Sequence, residues 1–291
     1  MTDEIRLDDA RLLDVLSRFM NTDPAAITRE AVLDLAAECD IDLDEAYQAL
    51  LAVWCGLDAS RPDDARLCRG RFPKMLRRVD PAFCLKDPYV LAVGHPHGRE
   101  GDLELVTRTF RPMELFVRDD FTFDRVGRLL PQLGWCDETL PYLSLEEKGR
   151  IWMTITPNEI ATLRPMAERC HGRVLCYGLG LGYVVFHMLL CPRVEDVTVV
   201  ERSPEVIALF RRLLLPHFPR PEALHIVRSD AFAFAETEGH SGAWDTVLGD
   251  LWHDAGDGLP LYLRLKALEV PGPDYLYWIE PTMRYYLDTM R

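Results

Sequence analysis

Apolar positions along this chain recur first with a helical period, then alternate, and finally gather into short continuous runs. Leu7, Leu12, Leu13, Leu16 and Phe19 or Met20 share one helical face, as do Val32, Leu33, Leu35 and Ala36. Asp42 with Glu45 has the form of a capping box and opens a third helix, Leu43 to Leu57. Prolines 62, 73 and 81 then break residues 61 to 86 into a connector. From Asp87 to about Glu138 the pattern favours strands. Leu103–Phe110 and Met113–Val117, joined by Arg111-Pro112, predict a β-hairpin. Ile151–Ile155 predicts a strand ended by Pro157, and Asn158-Glu159 starts a helix to about Cys170.

From Arg173 onward strands and helices alternate. Val174–Tyr177 is an apolar run of strand length, followed by Gly178, Gly180 and Gly182 and an apolar helix, Tyr183–Leu190. Val197–Val200 is the next strand, ending on Glu201; Ser203 and Pro204 then suit N-cap and N1. Leu224–Val227 is a third strand, running into Ser229-Asp230-Ala231 and a short helix, Phe232–Glu236. Trp244–Asp250 is a fourth, followed by a polar loop, a helix over Leu259–Leu268 and a fifth strand, Tyr275–Ile279. The expected fold is α/β: a Rossmann-like, doubly wound, mostly parallel sheet of about five strands, preceded by a helical bundle and a small β segment. The expected boundaries are 1–86 for the helical region and its connector, 87–150 for the β segment and 151–291 for the nucleotide-binding domain.

The first strand, glycines, helix, second strand and acid form one local chemical unit. Glycines let backbone approach a ligand without an intervening Cβ, and a carboxylate at the next strand's tip accepts from vicinal ribose hydroxyls. The Gly182-to-Glu201 spacing suits such an acid. The pattern is G-x-G-x-G with Tyr183 next, not G-x-G-x-x-G, which moves the expected ligand from NAD to S-adenosylmethionine or a related thionucleoside. Trp152 and Met153 enter just before this unit, placed to pack on a sulfonium or adenine, with core packing as the alternative.

Charge narrows the partners. Net charge is −14, and residues 1–60 carry 14 acids against four arginines, which argues against nucleic acid. The helix-turn-helix look of residues 35–51 is read as a dimerisation or lid bundle, with a homodimer through the N-terminal region the partner expectation. The bases between Arg61 and Lys86 are read as neutralising the acidic bundle or a partner subunit. No apolar run is long enough for a membrane span and no signal peptide is evident. Cysteines 39, 55, 68, 84, 136, 170, 176 and 191 contain no C-x-x-C pair, as expected of a reduced cytoplasmic protein. His95-Pro96-His97 is read as a loop, and no metal is expected.

Residues 150–280 resemble a class I S-adenosylmethionine-dependent methyltransferase core, and within that superfamily the spermidine-synthase-like branch. The resemblance rests on Gly178-Leu179-Gly180-Leu181-Gly182, Glu201, Asp230-Ala231 and Asp250. It implies that these positions hold, in order, the methionine or methylthio end, the ribose, the adenine amino group and the reacting centre. After the fifth expected strand, no two further strands of the kind the full methyltransferase core carries are expected within these residues. Spermidine synthases also carry an aspartate where Leu181 stands, and two aspartates three apart after the fourth strand; here Asp250 and Asp254 are four apart. The expected function is therefore methyl transfer from S-adenosylmethionine to a small molecule, with Asp250 and then His253 orienting or deprotonating the acceptor. Asp254 and Asp257 either bind a cationic group or cap the following helix. The alternatives are aminopropyl transfer from decarboxylated S-adenosylmethionine, or a non-catalytic nucleoside-binding scaffold.

Overall fold

A computed structural model of the chain describes residues 3–240 and 243–289, so the first two residues of the acidic N-terminus lie outside it. The chain divides into two compact units, residues 1–83 with 109–141 and residues 84–108 with 142–291.

In the first unit the helical periodicity becomes α1 (Asp3–Thr22), α2 (Arg29–Cys39) and α3 (Leu43–Trp54). Thr28 and Asp42 cap α2 and α3 by accepting from the amides of Ala31 and Glu45, donors that a helix's first turn leaves without intrahelical partners. Leu12, Leu16, Phe19, Val32, Tyr47 and Leu51 enter one core. The connector is more ordered than its prolines suggest: it holds α4 (Pro62–Gly70), α5 (Phe72–Met75) and β1 (Leu76–Arg78). As expected, its bases meet acids of the bundle, Arg71 pairing with Asp9 at 2.5 Å and Arg66 with Asp8 at 3.9 Å.

Next in chain order are α6 (Ala82–Leu85), α7 (Pro88–Val93), β2 (Gly98–Glu100), β3 (Leu103–Phe110), β4 (Phe116–Phe123), β5 (Leu129–Trp135), β6 (Leu140–Glu147) and β7 (Arg150–Thr154). The expected hairpin does not form. β3 belongs to a sheet of order β2-β3-β6-β7, whereas β4 belongs to one of order β1-β5-β4. The intended turn is claimed by other partners: Met113, at φ 65°, donates its amide to the Cys136 carbonyl, and Leu115 donates to Pro24. Strand β5 is buried along its whole length although it contains Pro131, Gln132 and Gly134. Pro131 cannot donate to a ladder, and it falls between Gln132 and Leu130, where β4 slips register against β5.

The second unit carries the alternating elements: α8 (Pro157–Arg169), β8 (Gly172–Tyr177), α9 (Tyr183–Leu190), β9 (Val194–Glu201), α10 (Pro204–Leu213), β10 (Leu224–Arg228), α11 (Ala231–Glu236), β11 (Thr246–Gly249), α12 (Ala255–Lys266), β12 (Asp274–Tyr277) and α13 (Glu280–Thr289). Its five strands pair in the order β10-β9-β8-β11-β12, all parallel. This is the Rossmann-like α/β fold. Residues 174–177 of β8 and 246–249 of β11 are buried, as strands covered by helices on both faces must be. From β8 the chain winds one way to β9 and β10 and then the other way to β11 and β12. The carboxyl ends of β8 and β11 therefore flank the switch point at which such sheets bind ligands. No helix of the described residues is long and apolar enough to cross a membrane.

Candidate functional site

A cleft of about 260 Å³ opens at this switch point. It is lined from the strand ends by Gly178, Gly180, Glu201, Asp230, Ala231 and Asp250, all named from the sequence.

The glycine loop is held on both sides. The Gly178 amide donates to the Val200 carbonyl and the Asp250 amide to the Tyr177 carbonyl, both at 3.0 Å. Gly178 has φ 99°, and a Cβ there would collide with the Asp250 carbonyl oxygen, so no other residue fits without moving β11's end. Gly180, at φ 48°, is constrained by its left-handed backbone, and the movable thioether of Met153 fills the space a Cβ would take. Gly182 caps α9 and packs on Phe210 and Phe218, away from the cleft lining.

Glu201 ends β9 with both carboxylate oxygens engaged. Oε2 accepts from the Leu179 amide at 3.1 Å and Oε1 from the Ser203 amide at 2.8 Å. Each oxygen keeps a second lone pair, so the group is oriented and still able to accept from two hydroxyls. Asp230 caps α11, Oδ1 accepting from the amides of Phe232 and Ala233 at 3.0 Å, and the residue lines the cleft beside Ala231. These groups suit an adenosine: a loop without side chains, an oriented acid for the ribose and an acceptor for an amino group.

Asp250 differs from the other acids. It exposes part of its surface to the cleft, yet its carboxyl accepts no hydrogen bond among the described residues. Burial pushes its pKa up to about 7; the charge of Glu159 adds to the rise and His253 opposes it. Glu159 is itself fixed in the capping box of α8, accepting from the Thr156 amide at 2.9 Å and the Thr154 hydroxyl at 2.8 Å.

After β11, helix α12 starts at Ala255, four residues before the expected start at Leu259. The polar Asp–Gly stretch forms its first turn through a reciprocal capping box. Asp254 accepts from the amides of Gly256 and Asp257, while Asp257 accepts from the Asp254 amide. Asp254 is thus a capping residue outside the cleft lining, whereas Asp257 lines it. Asp257 also accepts from His253 Nδ1 at 2.9 Å, which holds a proton on that nitrogen and fixes the ring in the cleft wall. Despite partial burial, the amides of Asp254 and His253 and the His253 ring hold the Asp257 carboxyl below the usual range.

Trp152, Met153, Phe232, Leu251, Trp252 and Leu261 supply apolar wall, and Arg202 stands next to Glu201. Of these, Trp152 and Met153 had a signal in the sequence; Trp252 and Leu261 had none beyond lying near Asp250. Leu181 is fully buried and does not line the cleft. Among the described residues, no group of three His, Cys, Asp or Glu side chains is placed to hold a metal ion.

No protein-family model and no curated protein matches the chain. Among solved structures it is similar to a spermidine synthase from Thermotoga maritima at 15% identity, over 57% of this chain and 50% of that one, with a TM-score of 0.30. It is also similar to a spermidine synthase in complex with the transition-state analogue AdoDATO, at 15% identity over 54% of this chain and 46% of that one, TM-score 0.30. The chain spans about half the length of these structures.

Proposed function

We propose that the chain is a transferase that takes an adenosyl-sulfonium nucleoside in this cleft and moves its alkyl group to a small amine. The nucleoside is decarboxylated S-adenosylmethionine and the group is aminopropyl. The observation that carries this reading is the charge at the tail end of the cleft. Asp250, with Glu159 close by, stands beside the glycine loop, while Arg202, the only arginine of the lining among the described residues, lies next to the proposed ribose acid Glu201. A cationic tail finds acids there; a tail carboxylate finds no arginine or lysine among the described lining residues on that side, only His253, which is already engaged by Asp257.

Leu181, where spermidine synthases carry aspartate, weighed towards methyl transfer in the sequence. Its burial weakens that argument, because this position does not face the cleft in the present chain.

When bound, the sulfonium supplies an electrophilic carbon: the amine nitrogen bonds to it, the C–S electron pair leaves on sulfur as a neutral thioether, and the nitrogen sheds a proton. Glu201 and Asp230 orient the nucleoside, so that the reacting atoms are aligned before the step. Asp250, titrating near neutrality, accepts the proton as its negative charge is drawn towards the ammonium. His253, held by Asp257 and exposed, passes the proton to solvent through Nε2. Trp152 and Trp252 keep water from the sulfonium.

Methyl transfer from S-adenosylmethionine is the second reading, favoured by the unpartnered Gly180 amide, which offers a tail carboxylate one donor. Calorimetric titration with both nucleosides and methylthioadenosine separates the two. Tighter binding of the decarboxylated form, by about tenfold or more, supports aminopropyl transfer. The reverse order supports methyl transfer, and no binding of any of the three rejects both. A homodimer through the N-terminal helices is a further proposal, supported by the exposed apolar side chains of Leu7, Leu33, Val53 and Trp54; sedimentation would test it.

A further inference from the structure

The five amides of the glycine loop can be followed one by one. Gly178 donates to Val200, Gly182 to the Leu179 carbonyl at 2.7 Å, and Leu179 to Glu201. Leu181 donates to the sulfur of Met153 at 2.8 Å, and Gly180 has no partner among the described residues. Consecutive amides in a loop with positive φ form a concave nest for anions, and a carboxylate is the natural guest. Here the nest is half closed, and what closes it is a weak acceptor. A thioether sulfur satisfies an N–H poorly compared with a carbonyl or carboxylate. Met153 therefore covers the Leu181 amide more than it rewards it.

The surroundings make this cover selective. Met153 lies on β7 opposite Leu145, half-buried, with its side chain against Gly180 on the wall of the same cleft. Asp250 stands on this side of the loop, its negative field reinforced by Glu159 and partly offset by His253, which Asp257 holds. A tail carboxylate would lose its water, meet one open amide instead of two and face a like charge. An ammonium tail needs no amide and meets Asp250 directly. Gly180 is required by the same contact, because a Cβ at that position would displace the sulfur.

We propose that Met153 is the specificity residue of the cleft: by covering the Leu181 amide with its thioether, it excludes nucleosides whose tail carries a carboxylate. This rests on the reading that the cleft binds an adenosyl thionucleoside.

The test compares the full-length protein with Met153→Ala and Met153→Leu. Each is titrated calorimetrically with S-adenosylmethionine, its decarboxylated form and methylthioadenosine, which has no tail charge. Met153→Leu keeps the cover and should hold the wild-type selectivity within about threefold. Met153→Ala opens the second amide and should cut the preference for the decarboxylated form by about fivefold or more, chiefly through tighter binding of S-adenosylmethionine. Methylthioadenosine affinity serves as the control for an intact cleft. If Met153→Ala binds methylthioadenosine normally and keeps the wild-type ratio, the role of Met153 is overturned while the reading of the cleft stands. If the wild-type protein binds none of the three, the reading of the cleft itself fails. If it prefers the carboxylated form, both the aminopropyl assignment and the exclusion by Met153 are overturned.

Discussion

Two carboxylates of the same unit, Asp87 and Asp250, are both withdrawn from water and meet opposite fates. Asp87 caps α7, accepting from the Tyr89 amide at 2.9 Å, and also accepts from the Tyr183 hydroxyl at 2.9 Å and from His187 Nε2 at 3.2 Å. Arg164 stands 3.4 Å away. Burial works against its charge, but His187, Tyr183 and the Tyr89 amide together hold the carboxyl below the usual range. Asp250, though it opens onto the cleft, is also desolvated, has no hydrogen-bond donor on its carboxyl among the described residues, and is pushed up to about 7. Burial alone therefore does not mark function. A buried acid with its donors supplied is an anchor; one left without them at the rim of a cleft is poised to exchange a proton or hold a cation. The anchor serves the site at one remove, because Tyr89, beside Asp87, donates its hydroxyl to the Leu181 carbonyl at 2.7 Å.

The contrast breaks most sharply at Asp250. Asp250→Asn should slow transfer by about 10²–10⁴-fold, the usual worth of a positioned proton acceptor, while methylthioadenosine binding changes little. Near wild-type turnover in a stopped assay would remove its role. Asp87→Ala should instead cost about 3 kcal/mol of stability, read as a lowered denaturant midpoint, because Tyr183 and His187 are left buried without their acceptor. A loss below about 1 kcal/mol would show that the cluster is not an anchor.

Stability against pH sharpens the comparison. Asp250 has a folded-state pKa above its unfolded value of 3.8, so between these values the folded chain binds more protons than the unfolded one. Its contribution falls as pH rises from about 4 to 7 and levels off above. Asp250→Asn should therefore be more stable than the wild type at pH 8, by up to about 4 kcal/mol, and equal to it near pH 3. An advantage at every pH would mean that the asparagine acts through packing. For Asp87 the sign is reversed: its stabilisation is present above the unfolded pKa and is lost as pH falls through its lowered folded value.

Two smaller effects separate direct from indirect support of the nucleoside. Glu201→Ala should weaken methylthioadenosine binding by about 2 kcal/mol, through lost ribose contacts and loss of the acceptor that orders the Leu179 amide. Tyr89→Phe should weaken it by about 1 kcal/mol, by releasing the loop at Leu181, without changing turnover of bound substrate. Unchanged affinity in either variant would disconnect that contact from the site.

The sequence by itself determined the parts whose physics is local. The strand–glycine–helix–strand–acid order from Val174 to Glu201, the cap at Ser203 and the acids Asp230 and Asp250 at strand ends all follow from neighbours within about one βαβ unit. Tertiary structure decided whatever depends on partners remote along the chain. Leu103–Phe110 and Met113–Val117 look like a hairpin, but β3 pairs with β2 and β6, and the linking segment bonds to Pro24 and Cys136. Strand β5 hides behind a proline, a glutamine and a glycine whose constraints its partners relieve. In the cleft, only the folded chain shows that Asp254 is a cap while Asp257 orients His253, that Leu181 faces the core, and that Met153 lies on the glycine loop from 28 residues away. Periodicity and spacing record the faces an element must present. Which distant group supplies or withholds a hydrogen-bond partner is settled only when those faces pack, and in this protein that choice separates Asp87 from Asp250.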